Sequence, residues 1–101
     1  MLYEGAIRFL QQAMEAIRNE DHELRYAKLT HAGEIIVALK KALDIINGGP
    51  EARMLDQFYQ SIDNRILALH RYHSLAECSA IIEDLRRLRD MWDAIDRGEV
   101  R

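Results

Sequence analysis

His70 and His73 stand three residues apart, and Glu77 follows four residues later. On one continuous helix that spacing would set three potential metal ligands on a single face, as helical zinc sites require. The sequence between them argues otherwise. Tyr72-His73-Ser74 reads as a break, because Ser74 with Glu77 three residues on fits a capping box that starts a new helix. No second cluster of His, Cys, Asp or Glu joins the pair. Di-metal carboxylate bundles need a Glu-x-x-His motif on each of two helices, and here no Glu is followed by His at that spacing. Neither a metal nor any other cofactor is expected, and His22 and His31 are isolated. Nucleophilic chemistry finds no better footing. Ser61, Ser74 and Ser79 lie outside any Gly-rich turn, and Cys78 falls on a core stripe, where a small buried hydrophobe is expected. Gly48-Gly49 is too short to cradle a phosphate and follows a helix, whose C-terminal dipole repels anions. Tyr26, Tyr59 and Tyr72 suit packing with wet hydroxyls better than acid catalysis. The chain is not expected to be an enzyme.

The elements that would position these residues are four helices, at about 2–18, 23–46, 51–71 and 75–97. The first carries two adjacent apolar stripes: Leu2, Ala6, Phe9, Ala13 and Ile17, and beside them Tyr3, Ile7, Leu10 and Met14. The second turns Leu29, Ala32, Ile36, Leu39, Leu43 and Ile46 inward, after a polar break in which Asp21 serves as N-cap. Asn47-Gly48-Gly49-Pro50 then predicts a glycine C-cap, with Pro50 opening the third helix at its first position. The third stripe is Leu55, Tyr59 or Phe58, Ile62, Ile66 and Leu69. The fourth is Cys78, Ile81, Leu85, Leu88, Trp92 and Ile95, closed by Gly98. Short connections favour antiparallel neighbours, so the expected fold is all-α, an antiparallel up-down-up-down four-helix bundle forming one domain over residues 1–101.

Composition agrees. Of 101 residues, 49% are hydrophobic and 31% charged, with one proline and five glycines, the mixture of amphipathic helices and not of a disordered chain. The net charge of −3 removes the cationic surplus that a nucleic-acid binder needs. Arg86, Arg87 and Arg89 are interleaved with Glu83, Asp84, Asp90 and Asp93, which reads as a solvated, ion-paired helix face. One cysteine cannot form an internal disulfide, no signal peptide is visible, and no stretch approaches the roughly 18 to 20 apolar residues of a membrane span. A cytoplasmic location follows as the expectation.

What remains is apolar excess. Tyr3, Ile7 and Met14 on the first helix, Ile35 and Ile45 on the second and Ile82 and Met91 on the fourth exceed a single narrow stripe. Such residues either widen a four-helix core or line a groove for a partner's amphipathic helix.

The order of motifs resembles one known family. Leu2-Tyr3-Glu4-Gly5-Ala6-Ile7-Arg8-Phe9-Leu10-Gln11-Gln12-Ala13 is similar to the L-Y-D-G-A-I-x-x-L-x-x-A stretch of the flagellin export chaperone FliS family. Asn47-Gly48-Gly49-Pro50-Glu51-Ala52 is similar to its Gly-Gly-x-x-Ala turn. Leu55-x-x-Phe58-Tyr59 and Arg65-Ile66-Leu67 fall where that family has L-x-x-L-Y-x-Y-M and R-R-L, and Leu85-x-x-Leu88-Arg89-Asp90-x-Trp92 where it has L-x-x-L-R-x-x-W. Two departures stand out. Ser61 replaces the second tyrosine of the third helix. The segment that precedes the first motif in the family is absent, in keeping with a first helix that begins without a capping residue.

The resemblance implies a cytoplasmic chaperone that binds the C-terminal segment of flagellin, prevents premature polymerisation and aids delivery to the flagellar secretion apparatus. The residues expected to contact the client are Tyr3, Ile7 and Met14, followed by Ile35, Ile45 and Ile82. A homodimer is a further expectation, burying the surface that the family's N-terminal arm would cover. Two other classes remain open at this point: a structural helical dimerisation module without a client, and a small metal-binding bundle using His70 and His73.

Overall fold

The computed structural model describes residues 2–98, with the side chains of Leu2, Ile45, Ile46, Asn47 and Asp96 left aside. Four helices make the antiparallel bundle: α1 (Leu2–Arg18), α2 (His22–Lys41), α3 (Ile45–Leu69) and α4 (Leu75–Asp96). Around the bundle, α1 packs on α2 and α4, and α3 packs on the same two, with its fewest contacts to α4.

The local signals act where the sequence places them. Asp21 stands in extended backbone and its side chain accepts from the Leu24 N–H at 3.1 Å, which opens α2. Ser74 does the same for α4, accepting from the Glu77 N–H at 3.1 Å. Such caps are worth about 1 kcal/mol each, because they satisfy amides that the first helical turn leaves unpaired. At the far end Gly98, at φ 73°, follows the Arg97 cap and closes α4.

The α2–α3 connection departs from the expectation. The second helix stops at Lys41 rather than near residue 46, and Ala42 is its C-cap. A new helical turn begins at Ile45, and the Gly48 N–H reaches the Asp44 carbonyl at 2.7 Å. Gly49 then breaks the helix at φ 66°, ψ −149°, a conformation essentially reserved for glycine, and Pro50 restarts it. The Gly-Gly-Pro signal is thus spent on a kink inside α3, not on capping α2. The third helix ends at Leu69, two residues short of the expected Arg71, so His70, Arg71 and Tyr72 form the turn into α4.

The core fills from all four helices. Leu10, Leu29, Ile36, Ile62, Ile66, Ile81 and Leu85 are fully buried or nearly so. Each contributes about 1.5 to 3 kcal/mol of apolar burial. On α1 residues of both stripes enter the core: Tyr3, Ala6, Ile7, Leu10 and Ala13 are buried, with Ala16 beside them, and Phe9, Met14 and Ile17 are half-buried, because this helix faces two neighbours at once. The hydroxyls of Tyr3 and Tyr59 bond to each other inside the core. Burial first, and that bond second, push the Tyr59 phenol above its ordinary range. Along the thinner α3–α4 contact, Arg65 ties the helices together, donating from Nε to Glu77 at 2.6 Å and from Nη1 to Asp84 at 2.8 Å.

Cys78 is buried on this core, with its Sγ 3.8 Å from the Leu10 carbonyl oxygen. Burial, and to a lesser degree Glu77, push its thiol up to about 11. A thiolate is the reactive form. Labelling of the native protein by a thiol reagent at pH 7.5 is therefore expected to be slow and to track global unfolding. Fast stoichiometric labelling in buffer alone would show the core around Cys78 to be open.

Candidate partner-binding surface

The six residues singled out in the sequence do not form one exposed stripe. Tyr3, Ile7 and Ile82 belong to the core at 2%, 5% and 4% exposure, so they are not left over once the core is filled. The physical reason is the ring of contacts: a helix with two partners needs an apolar arc twice as wide as one contact demands. Met14 and Ile35 are half-buried against that core. Ile35 lies over Gly5, where an added Cβ would stand 3.2 Å from its Cδ1, so it seals the α1–α2 contact. The side chain of Ile45 lies outside the described residues. On α4, Trp92 stops half-buried at the edge of the core, and Ile95 is exposed; neither continues the stripe fully inward.

The apolar surface that a partner would meet lies instead on either side of α3. Between α2 and α3 runs a groove of about 720 Å³. Leu29, Gly33 and Ile66 form its floor, and Tyr26, Val37 and Leu67 rise along it. Leu67 is 55% exposed although it sits directly after the buried Ile66. A Cβ added at Gly33 would stand 3.7 Å from Asp63 Oδ1 and 3.9 Å from Ile66 Cγ2, ordinary contact distances, so the groove floor has room for an alanine there. Between α3 and α4, where helix contact is thinnest, a second hollow of about 400 Å³ is walled by Met54, Leu55, Phe58, Leu88, Met91 and Trp92. Met54 is 70% exposed. Flexible thioethers at such a surface adapt to varied apolar partners.

None of Val37, Leu67 or Met54 was expected at the surface site. Each lies off its helix's core stripe, and an apolar residue off the stripe is the signal that would have found them.

Histidines gather at the end of the α2–α3 groove. Arg25 Nη1 lies 2.8 Å from His22 Nδ1 and 3.4 Å from His73 Nδ1, and the two imidazoles are 6.0 Å apart. The His70 and Tyr26 rings pack at a tilt of 59°, with centroids 5.2 Å apart. Glu77, the third ligand of the imagined metal triad, is engaged by Arg65. Among the described residues no group of three or more His, Cys, Asp or Glu is placed to hold a metal ion.

His70 has its pKa lowered from the ordinary 6.5, first by burial and then by the Arg25 charge. A proton therefore binds the unfolded chain more readily than the folded one. The contribution of His70 to stability is complete above pH 6.5 and is lost as pH falls below it. The melting temperature is expected to drop from pH 7.5 to pH 5.5, and by less in His70→Gln. Equal drops in the two proteins would remove His70 from the account.

The comparisons with known proteins agree with this architecture. Residues 1–99 match the family described as Flagellar protein FliS. The chain is similar to the flagellar secretion chaperone FliS of Vibrio cholerae serotype O1, at 30% identity over 95 residues, covering 94% of this chain and 70% of that protein. It is also similar to the flagellar secretion chaperone FliS of Campylobacter jejuni subsp. jejuni serotype O:6, at 29% identity over 99 residues, 98% of this chain and 77% of that protein.

Proposed function

This chain belongs to the Flagellar protein FliS family, and on that premise we propose that it is a cytoplasmic flagellar secretion chaperone that binds the C-terminal helical segment of flagellin. It keeps the client from polymerising early and aids its delivery to the secretion apparatus. The observation that carries this reading is the pair of apolar hollows flanking α3, with Leu67 and Met54 exposed along them. An unfolded export client exposes amphipathic segments that would otherwise associate with one another. Two hollows on adjacent faces of one helix give such segments successive places to bury their apolar sides. The client orders only on binding, which spends part of the interaction energy and leaves the complex reversible. No described helix is long and apolar enough to cross a membrane.

Titration calorimetry with a synthetic peptide of the flagellin C-terminal segment tests the reading. Saturable binding with a negative heat-capacity change is expected, the mark of apolar burial. No binding at high micromolar concentrations would refute it. A second copy of the chain is the competing occupant of the same surfaces. Light scattering of the isolated protein separates the two: a monomer that takes up one peptide supports the chaperone, and a stable dimer that excludes the peptide supports the dimerisation module.

A further inference from the structure

Arg25 is half-buried where the start of α2 meets the α3–α4 turn, and its hydrogen-bond partners are imidazole nitrogens. Among the described residues it has no carboxylate partner, unlike Arg18, Arg65, Arg86, Arg87 and Arg89; Arg8, Arg53 and Arg71 show none either, but those three are exposed and Arg25 is not. Its Nε and the Nδ1 of His70 are shielded from solvent and reach no hydrogen-bond partner among the described residues. A guanidinium presents a fork of donors matched to a carboxylate, and a neutral imidazole answers only part of it. With His22, His70 and His73 around it, Arg25 forms a nitrogen-rich corner short of an acceptor. His70 and Tyr26 place that corner at one end of the α2–α3 groove, which extends to Lys41 at the other.

We propose that this corner receives the terminal carboxylate of the segment docked in the groove. The inference rests on the chaperone reading above and adds how the client is recognised and in which direction it lies. From Tyr26 to Lys41 the groove follows about 15 residues of α2, roughly 22 Å at the helical rise. A helix filling that length with its C-terminus at Arg25 brings there both its free carboxylate and the negative end of its dipole. The apolar groove supplies affinity, and the corner sets polarity and register.

The test uses the full chain and two synthetic peptides of the flagellin C-terminal segment, identical except that one ends in a free acid and the other in an amide. The free acid is expected to bind about tenfold more tightly, the effect of one charge-assisted hydrogen-bonded pair at a partly exposed site. In Arg25→Gln the ratio should collapse toward one, and Arg25→Lys, which keeps the charge but not the fork, should restore only part of it. Equal binding of both peptides by the unaltered chain overturns the proposal and leaves the groove reading standing. A preference for the acid that survives in Arg25→Gln overturns it as well. If neither peptide binds the unaltered chain, the chaperone reading fails and the carboxylate site falls with it. The acid–amide comparison needs no variant, so a misfolded Arg25→Gln would not spare the proposal.

Discussion

Ile7→Asp is expected to unfold the bundle. Ile7 is 5% exposed on α1 and belongs to the core that also holds Leu10, Ile36 and Ile82. Truncating such a side chain to alanine costs about 2 to 5 kcal/mol through lost burial and the cavity left behind. An aspartate adds the cost of an ionised group with no partner in an apolar site. A domain of this size holds only about 5 to 15 kcal/mol in total, so the combined loss takes most or all of it. Circular dichroism at 25 °C should show a large loss of helix and no cooperative melting transition. Ile7→Val, which keeps the shape and removes one methylene, should cost about 0.5 to 1.5 kcal/mol and melt normally. A helical, cooperatively melting Ile7→Asp protein would place Ile7 outside the core and return it to the partner surface.

The second large effect is on binding and spares the fold. Val37→Asp combined with Leu67→Asp is expected to weaken the flagellin peptide by about two orders of magnitude. Both side chains stand in the α2–α3 groove, and both are exposed in the free protein. Exposed substitutions usually change stability by no more than about 0.5 kcal/mol each, so the melting temperature should shift little. In the complex the same positions would hold charges against the client's apolar face. A loss of about 3 kcal/mol corresponds to the hundredfold change in Kd, in the range of contacts that dominate an interface. Gln11→Asp, on the exposed outer face of α1, serves as the control and should bind normally. Unchanged affinity in the double variant would shift the site to the α3–α4 hollow, where Met54→Asp is the corresponding probe.

The contrast between Ile7 and Leu67 shows where sequence reasoning reached its limit. Periodicity, capping and composition are local properties, and they suffice for the existence of four helices, for the Asp21 and Ser74 caps, for the Gly98 stop and for the burial of Cys78. The linear order of motifs also suffices for the family, because Leu2–Ala13, the Gly-Gly-Pro turn and the Leu85–Trp92 pattern keep their spacing along the chain. A doubled apolar stripe, by contrast, has the same appearance whether a helix faces two neighbours or one neighbour and a client. That ambiguity sent Tyr3, Ile7 and Ile82 to the partner surface, and only the ring of helix contacts decides that they are core. Gly48-Gly49-Pro50 likewise fits either a cap on α2 or a kink in α3, since each needs a left-handed glycine before a proline; the backbone at Gly49 decides for the kink. The Arg25 corner was least legible of all. His22, Arg25, His70 and His73 come from two distant stretches of the chain, and nothing along the sequence records that the start of α2 and the α3–α4 turn share one end of the bundle. Local rules fix what each segment is, and burial and the meeting of distant segments are properties of the assembled fold.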